Sequence, residues 1–225
     1  MTKTRSIVYA ACLITTAALT SRPALAGPVL FSTLGPSNEF DGTTGYFIDG
    51  NGSGFFNQVI ADPFALGAGA TVGDAVLAMG NFAGGNNAVN VYIESDSGGS
   101  PGGILAALSQ VGTIPAWDNV SGGGLVTFTC SGGGCTLGAG SYWLVAVEPD
   151  SGTEQVWDFA YLDATTNDFF NQAGSATGPW NGPISEINNA YRIDAADTAT
   201  PEPGSLVLLG TGLLGLGLVR RRRSS

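Results

Sequence analysis

The sequence predicts an all-β protein, an antiparallel β-sandwich of jelly-roll type that occupies residues 27–198. Two patterns lead to this fold class. No stretch of this region keeps the i, i+3, i+4 spacing of apolar residues that a long helix needs, and short apolar or alternating runs recur between clusters of glycine. A region of about 170 residues is also long enough to bury a hydrophobic core. We therefore expect an antiparallel arrangement of short strands joined by glycine-rich turns.

The strands are assigned from apolar or alternating runs that end at turn-forming residues. In the run that ends at Cys130, alternation places Val126, Phe128 and Cys130 on one face. The run Ile104–Val111 fits either a strand or two turns of helix, and we favour the strand. The other predicted strands are Phe55–Ile60, Ala75–Met79, Ala88–Glu94, Leu125–Cys130, Ser141–Glu148, Gln155–Tyr161 and Ala190–Ile193.

Residues 1–26 have the pattern of a secretory signal peptide. A basic start is followed by a mostly apolar stretch, and Ala24 and Ala26 then place small side chains before Gly27. This order predicts cleavage by signal peptidase between Ala26 and Gly27. A short buried helix is one alternative. A lipoprotein signal ending at Cys12 is another, which Tyr9 disfavours because leucine is expected at that position.

The carboxyl-terminal segment, residues 199–225, has three parts. Pro201-Glu202-Pro203 comes first, an apolar run at 205–219 follows, and the cluster Arg220, Arg221, Arg222 and Arg223 comes last. As a helix the apolar run spans about 22 Å, which is less than the roughly 30 Å of a bilayer's hydrocarbon core. The arginines remain on the cytoplasmic side. The pattern therefore predicts a short transmembrane helix that anchors the chain only transiently.

These three parts, in this order, resemble the PEP-CTERM sorting signal of Gram-negative bacteria. The resemblance implies processing near Pro201–Pro203 by an exosortase, a membrane enzyme similar to a transpeptidase. It also implies export through the inner membrane to the cell surface or extracellular matrix, in the setting of exopolysaccharide and biofilm production. An ordinary single-pass anchor is the alternative interpretation of this segment.

The charge of the predicted domain, residues 27–198, which we call the body, excludes one class of partner. All 18 acidic residues lie between the signal peptide and Pro203, and Arg192 is the only basic residue there. Nucleic-acid binding needs a basic surface, so no nucleic-acid partner is expected. The chain also has no histidine, which removes the usual general base and the commonest metal ligand. Such a surface attracts cations and repels anionic polymers.

The two cysteines of the body, Cys130 and Cys135, predict a disulfide. An even pair of thiols in an exported protein is most simply oxidised. A tight hairpin through Ser131-Gly132-Gly133-Gly134 would bring their Cα atoms within the roughly 4.4–6.8 Å that a disulfide requires. A zinc site is disfavoured because two thiols and no histidine supply too few ligands.

Two further segments of the body resemble segments of a known domain family. Residues 89–105 contain a strand, then Ser-Asp-Ser-Gly-Gly-Ser-Pro-Gly, and residues 137–147 contain Leu-Gly-Ala-Gly-Ser-Tyr-Trp-Leu. Together they resemble the choice-of-anchor domains of exported bacterial proteins, over about residues 50–165. The resemblance implies a surface-exposed β domain and carries no established activity with it.

The available catalytic chemistry is that of carboxylates. A glycoside hydrolase needs two acidic side chains about 5–10 Å apart, one of them with a raised pKa. Nominal candidates are Glu94, Asp96, Glu148, Glu154 and Glu186. Acids at strand ends and in Asp-Ser-Gly turns are more often solvated or bound to local backbone, so we expect no enzyme activity and no catalytic residue.

A structural or adhesive surface protein is the first functional hypothesis, and a carbohydrate-binding module is the second. Trp143 and Trp157 lie in predicted strands and are expected in the core. Trp117 and Trp180 lie in segments rich in Pro, Asn and Gly, which makes them the candidate exposed platform for a glycan. The expected partner in that case is the exopolysaccharide.

Calcium is the single cofactor hypothesis, because hard cations take oxygen ligands. Three groups of oxygen-bearing side chains lie beside glycine-rich turns. They are Glu94 with Asp96; Glu148, Asp150 and Glu154; and Asp163, Asn167 and Asp168. Solvated turn acids are the alternative, and the sequence has no EF-hand loop.

Overall fold

A computed structural model describes residues 27–50, 57–83, 86–150, 152–161 and 165–197. The described residues form thirteen strands and one turn of 3₁₀ helix, Ser131–Gly133. The strands are β1 (Val29–Ser32), β2 (Phe40–Asp49), β3 (Val59–Leu66), β4 (Ala70–Ala83), β5 (Asn90–Asp96), β6 (Pro101–Val111), β7 (Gly124–Cys130), β8 (Cys135–Leu137), β9 (Gly140–Val147), β10 (Glu154–Ala160), β11 (Thr165–Asn171), β12 (Asn181–Ile187) and β13 (Tyr191–Ala195).

These strands join in one antiparallel sheet. The hydrogen-bonded order is β1-β13-β4-β7-β6-β5-β9-β3-β11-β12, with β10 between β2 and β4 and with β8 paired to β4. The sheet curls, so that β1 contacts β3 although the two are far apart in this order. The prediction of an all-β antiparallel fold is confirmed, and the curl gives the sheet a sandwich-like form with one enclosed interior.

The interior holds the main hydrophobic core. Among the described residues, it is built from buried residues of ten strands, including Val91 and Ile93 of β5 and Val126 and Phe128 of β7. The predicted alternation in β7 is confirmed, because Val126, Phe128 and Cys130 are all buried. Burial of this apolar face stabilises the sheet by about 25 cal/mol for each Å² removed from water.

A second, smaller cluster covers the opposite face of β3 and β9. Val59 and Ala61 alternate with the interior residues of β3, and Trp143 and Val145 do the same in β9. The segment that joins β11 to β12 packs over this cluster through Ala176 and Trp180. The outer face is therefore apolar here as well, and it is covered by the protein's own chain.

The predicted disulfide is present. Cys130 at the end of β7 is bonded to Cys135 at the start of β8, and their Cα atoms are 5.7 Å apart. Gly132 in the intervening turn has a φ of 70°, a left-handed conformation that glycine adopts without strain. Cys130 also belongs to the main core. β7 and β8 both pair with β4 and not with each other, so the predicted hairpin is wrong. The bridge instead closes a short loop between two strands that continue in the same direction along β4, and it ties this loop to the interior.

Several predictions concern residues outside the described ranges. They are the signal peptide (1–26), the sorting segment (199–225) with its transmembrane helix, and Asp163. Within the described ranges, no helix has the length and apolar character required to span a membrane.

Candidate functional site

Four acidic residues lie together where β2 and β9 end and β10 begins. Asp49 is the last residue of β2 and is paired in register with Glu154, the first of β10. Glu148 directly follows β9, and Gly50 lies against the backbone carbonyl of Asp150 so closely that a Cβ at Gly50 would overlap it. We call Asp49, Glu148, Asp150 and Glu154 the acidic corner. The predicted group of Glu148, Asp150 and Glu154 is part of it, and Asp49 is a member that sequence analysis missed.

Burial and like charge dominate the electrostatics of the acidic corner. Glu148 is only 4% exposed, and neither of its carboxylate oxygens has a hydrogen bond of normal geometry. Burial, and then the neighbouring charge of Asp150, raise the pKa of Glu148 to about 8. Burial and the charge of Glu154 raise the pKa of Asp49 to about 6. Asp150 accepts a hydrogen bond of 2.6 Å from the side-chain amide of Asn86.

Glu94 and Asp96 lie on the outer face of β5 in two different environments. Glu94 is fully buried with both carboxylate oxygens unbonded, and this burial raises its pKa to about 7. Asp96 is exposed and accepts hydrogen bonds from the Trp143 indole at 2.9 Å and the Gly99 backbone at 3.1 Å. Asp96 thus orients a core tryptophan and closes its own turn.

A carboxyl pair occupies the interior between β3 and β11. Asp62 and Asp168 are both buried, and the backbone N–H of Asn189 donates a hydrogen bond of 3.3 Å to Asp62. Burial and the neighbouring charge of Asp62 raise the pKa of Asp168 to about 10, which favours its protonated form at neutral pH. Asp168 therefore pairs with Asp62, which sequence analysis did not single out, whereas Asn167 points to the other, exposed side of β11.

Among the described residues, no three cysteine or acidic side chains are placed close enough together to hold a metal ion as they stand. The acidic corner comes nearest to such a group, because its four carboxylates form a chain of electrostatic neighbours. Of the predicted hydrolase acids, Glu186 lies on β12 and influences Tyr46 and Asp168. A surface cleft of about 580 Å³ between β6 and β8 is lined by no acidic residue.

An aromatic row crosses the outer face of β2 and β4. The ring centroids of Phe47 and Phe82 are 5.1 Å apart, and those of Phe82 and Trp117 are 5.6 Å apart. Phe82 is 46% exposed. Sequence analysis singled out Trp117 and missed the two phenylalanines, because only the folded sheet brings residues 47 and 82 beside residue 117. We call Phe47, Phe82 and Trp117 the aromatic row.

Trp117 is held in one orientation. Its indole N–H donates a hydrogen bond of 2.8 Å to the buried carboxylate of Asp158, which also accepts a 3.1 Å bond from the Gly123 backbone. Burial raises the pKa of Asp158 to about 6 even though both hydrogen bonds lower it. Trp117 also packs against Gly80, where it occupies the space that a Cβ would fill. Trp117 is half-buried, so its expected exposure is found only in part.

Trp180 has a different environment from the one expected. It packs against the second hydrophobic cluster, and its indole nitrogen is buried with no hydrogen-bond partner. The side chain is half-buried because the segment after β11 folds back over β3 and β9. Trp143 and Trp157 are buried as predicted, and the Trp157 indole donates to the Ala190 carbonyl at 3.1 Å.

Comparison with known proteins gives one match. A protein-family model described as the PEP-CTERM protein-sorting motif matches residues 199–223. No curated protein and no solved structure shows significant similarity to the chain. The matched residues include the Pro-Glu-Pro sequence, the apolar run and the arginine cluster from which the resemblance was drawn. The chain therefore carries a PEP-CTERM protein-sorting motif, which targets a protein to an exosortase for export and sorting to the cell surface.

Proposed function

We propose that residues 27–198 form a non-catalytic structural or adhesive component of the extracellular matrix, released to the exterior by exosortase processing. The observation that carries this proposal is the attachment of a PEP-CTERM motif to an acidic, disulfide-bonded β domain. The disulfide suits an oxidising exterior. The excess of carboxylates favours solubility and weak repulsion from anionic polymers, with attachment through cations or neutral sugars.

The sorting step is tested in the producing bacterium with a substitution in the motif. Glu202→Ala should leave the protein in the membrane fraction, because processing near Pro201–Pro203 is lost. Glu39→Ala, which changes an exposed acid outside the motif, is the matched control and should reach the exterior as the parent does. Export of the Glu202→Ala protein at the parental level would contradict exosortase processing at this motif.

The matrix role is tested by deletion and complementation. Loss of the protein should lower the mass of exopolysaccharide that stays attached to the cells, and the wild-type chain should restore it. Unchanged retention in the deletion strain would contradict a structural or adhesive role.

A carbohydrate-binding role is the second candidate, and the aromatic row favours it. Sugars stack their C–H faces on aromatic rings, and the row offers an exposed Phe82 beside a Trp117 that is already fixed. A fixed ring loses little conformational freedom on binding, which favours affinity. Trp180 is a weaker platform in this structure, because it covers the second cluster.

A pull-down on the producer's own exopolysaccharide tests this candidate. Phe82→Ala and Trp117→Phe should each reduce the bound fraction several-fold. Tyr161→Ala is the matched control, since Tyr161 is equally exposed and lies outside the aromatic row. No binding by the parent, or equal binding by all four proteins, would remove this role and leave the structural proposal intact.

A further inference from the structure

The acidic corner is formed by chain segments that the fold brings into backbone contact. Gly50 lies against the Asp150 carbonyl, and the Gly50 N–H donates a hydrogen bond of 3.3 Å to the carbonyl of Thr153. These contacts hold the end of β2 beside the connection from β9 to β10. The four carboxylates of the acidic corner are therefore electrostatic neighbours, and the Asp150 carbonyl lies beside Gly50 in the same place.

No positive side chain of the described body is available to this region. Arg192 is the only basic residue among the described residues, and its guanidinium binds Asp194 at 2.8 Å and also contacts Asn38. Asp49, Glu148 and Glu154 are nevertheless all buried. Burying carboxylates beside one another is costly unless a cation or a proton neutralises them.

Glu148 supplies an independent sign of a ligand. Both of its oxygens are buried without a hydrogen bond of normal geometry, although buried polar groups in native proteins are nearly always bonded. Its Cγ lies 3.2 Å from the position of a Cβ on Gly50, so its side chain is directed toward the turn that also contains the Asp150 carbonyl. An oxygen-seeking cation would satisfy both oxygens at once.

We propose that the acidic corner binds Ca²⁺ through the carboxylates of Glu148, Asp49, Asp150 and Glu154 and through backbone carbonyl oxygens of the adjoining turns. Ca²⁺ takes six to eight oxygen ligands at about 2.3–2.6 Å and tolerates irregular geometry. No three of these carboxylates are close enough together in the structure to hold an ion, so binding requires their side chains to rotate toward it. The site is independent of the proposed matrix role, and it would stiffen the domain where β2, β9 and β10 meet.

The test measures the melting temperature of the exported protein, purified from the producer and stripped of metals, with millimolar CaCl₂ or MgCl₂. Ca²⁺ should raise the melting temperature of the parent by at least about 3 °C more than Mg²⁺ does. Glu148→Gln removes one negative charge while keeping the shape of the side chain, and it should abolish this Ca²⁺-specific increase. Glu94→Gln is the matched control, because Glu94 is equally buried and unbonded but lies outside the corner.

Calorimetric titration of the folded parent with CaCl₂ gives a second readout that does not depend on a variant's stability. It should show saturable binding, and Asp150→Asn should weaken it at least about tenfold. Absence of binding by the parent, equal responses to Ca²⁺ and Mg²⁺, or a full response in Glu148→Gln would each overturn the proposal.

Discussion

At the residue scale, the unusual feature is the number of carboxyl groups buried without a positive partner. Glu94 is the simplest case, because burial alone raises its pKa from 4.5 to about 7. Since the folded state holds this proton more tightly than the unfolded chain, its contribution to stability is complete below pH 4.5 and is lost as the pH rises through 7. The raised pKa values of Asp62 and Asp168 make stability fall with rising pH in the same way. Tyr46, Glu186 and Tyr191 are titratable groups that interact with this pair.

Glu94→Gln tests this assignment directly. At pH 8 the variant should be more stable than the parent by about 1–3 kcal/mol, because glutamine has no proton to lose. At pH 4 both side chains are neutral, so the two proteins should have nearly the same stability. Thermal unfolding followed by circular dichroism at both pH values measures the difference. A variant that is less stable at pH 8, or equally changed at both pH values, would contradict the assignment.

The burial of individual acidic side chains could not be predicted from the sequence. Asp62 lies in Val-Ile-Ala-Asp-Pro-Phe, and Asp49 follows Tyr-Phe-Ile, so each resembles an acid at a turn or strand end. Their burial depends on β11 packing beside β3 and on β10 pairing with β2. Those are contacts between residues about 100 positions apart in the chain, and local patterns carry no information about them.

At the element scale, strands with a clear apolar or alternating run could be predicted, and strands without one, such as β1, β2, β11 and β12, could not. The predicted Leu125–Cys130 differs from β7 by one residue, and the favoured strand at Ile104–Val111 is confirmed as β6. The predicted Phe55–Ile60 overlaps only the first residues of β3, which continues to Leu66. Among the strands missed, β2 and β12 contain glycines or a proline and are held by their neighbours.

The packing of β4 against Trp117 gives a prediction at this scale. Gly80→Ala places a methyl group where the Trp117 side chain now lies, so the connection from β6 to β7 must move. We expect a loss of about 1–3 kcal/mol and a changed tryptophan fluorescence spectrum. Gly103→Ala in β6 is the control, since a Cβ there meets no atom within 4 Å, and it should change neither. An unchanged spectrum and stability in Gly80→Ala would contradict the packing described.

The disulfide between β7 and β8 gives a second prediction at this scale. Denatured, unreduced mature protein should contain no reactive thiol, whereas two labelled thiols per chain would show that the bridge is absent. Replacing Cys130 and Cys135 together by alanine should lower the free energy of unfolding by about 2–3 kcal/mol in the chain-entropy model. The double serine variant should unfold more readily still, because Cys130 lies in the main core and a hydroxyl there is buried.

At the scale of the whole molecule, the sorting motif and the acidic β body describe one exported protein. The motif was readable from sequence because its three parts are contiguous and their order carries the information. The aromatic row and the acidic corner could be predicted from the sequence only in part, because residues from distant parts of the chain form each of them. A body with one arginine and many carboxylates interacts with its surroundings mainly through cations and uncharged polymers.

The mass of the intact protein recovered from the cell exterior tests this account most directly. The account predicts a chain that begins at Gly27 and ends between Pro201 and Pro203 in a strain that contains exosortase. In a strain without exosortase, the chain should keep its apolar run and arginine cluster and stay with the membrane. Recovery from the exterior of a full-length chain, with both terminal segments still attached, would contradict export and sorting by this route.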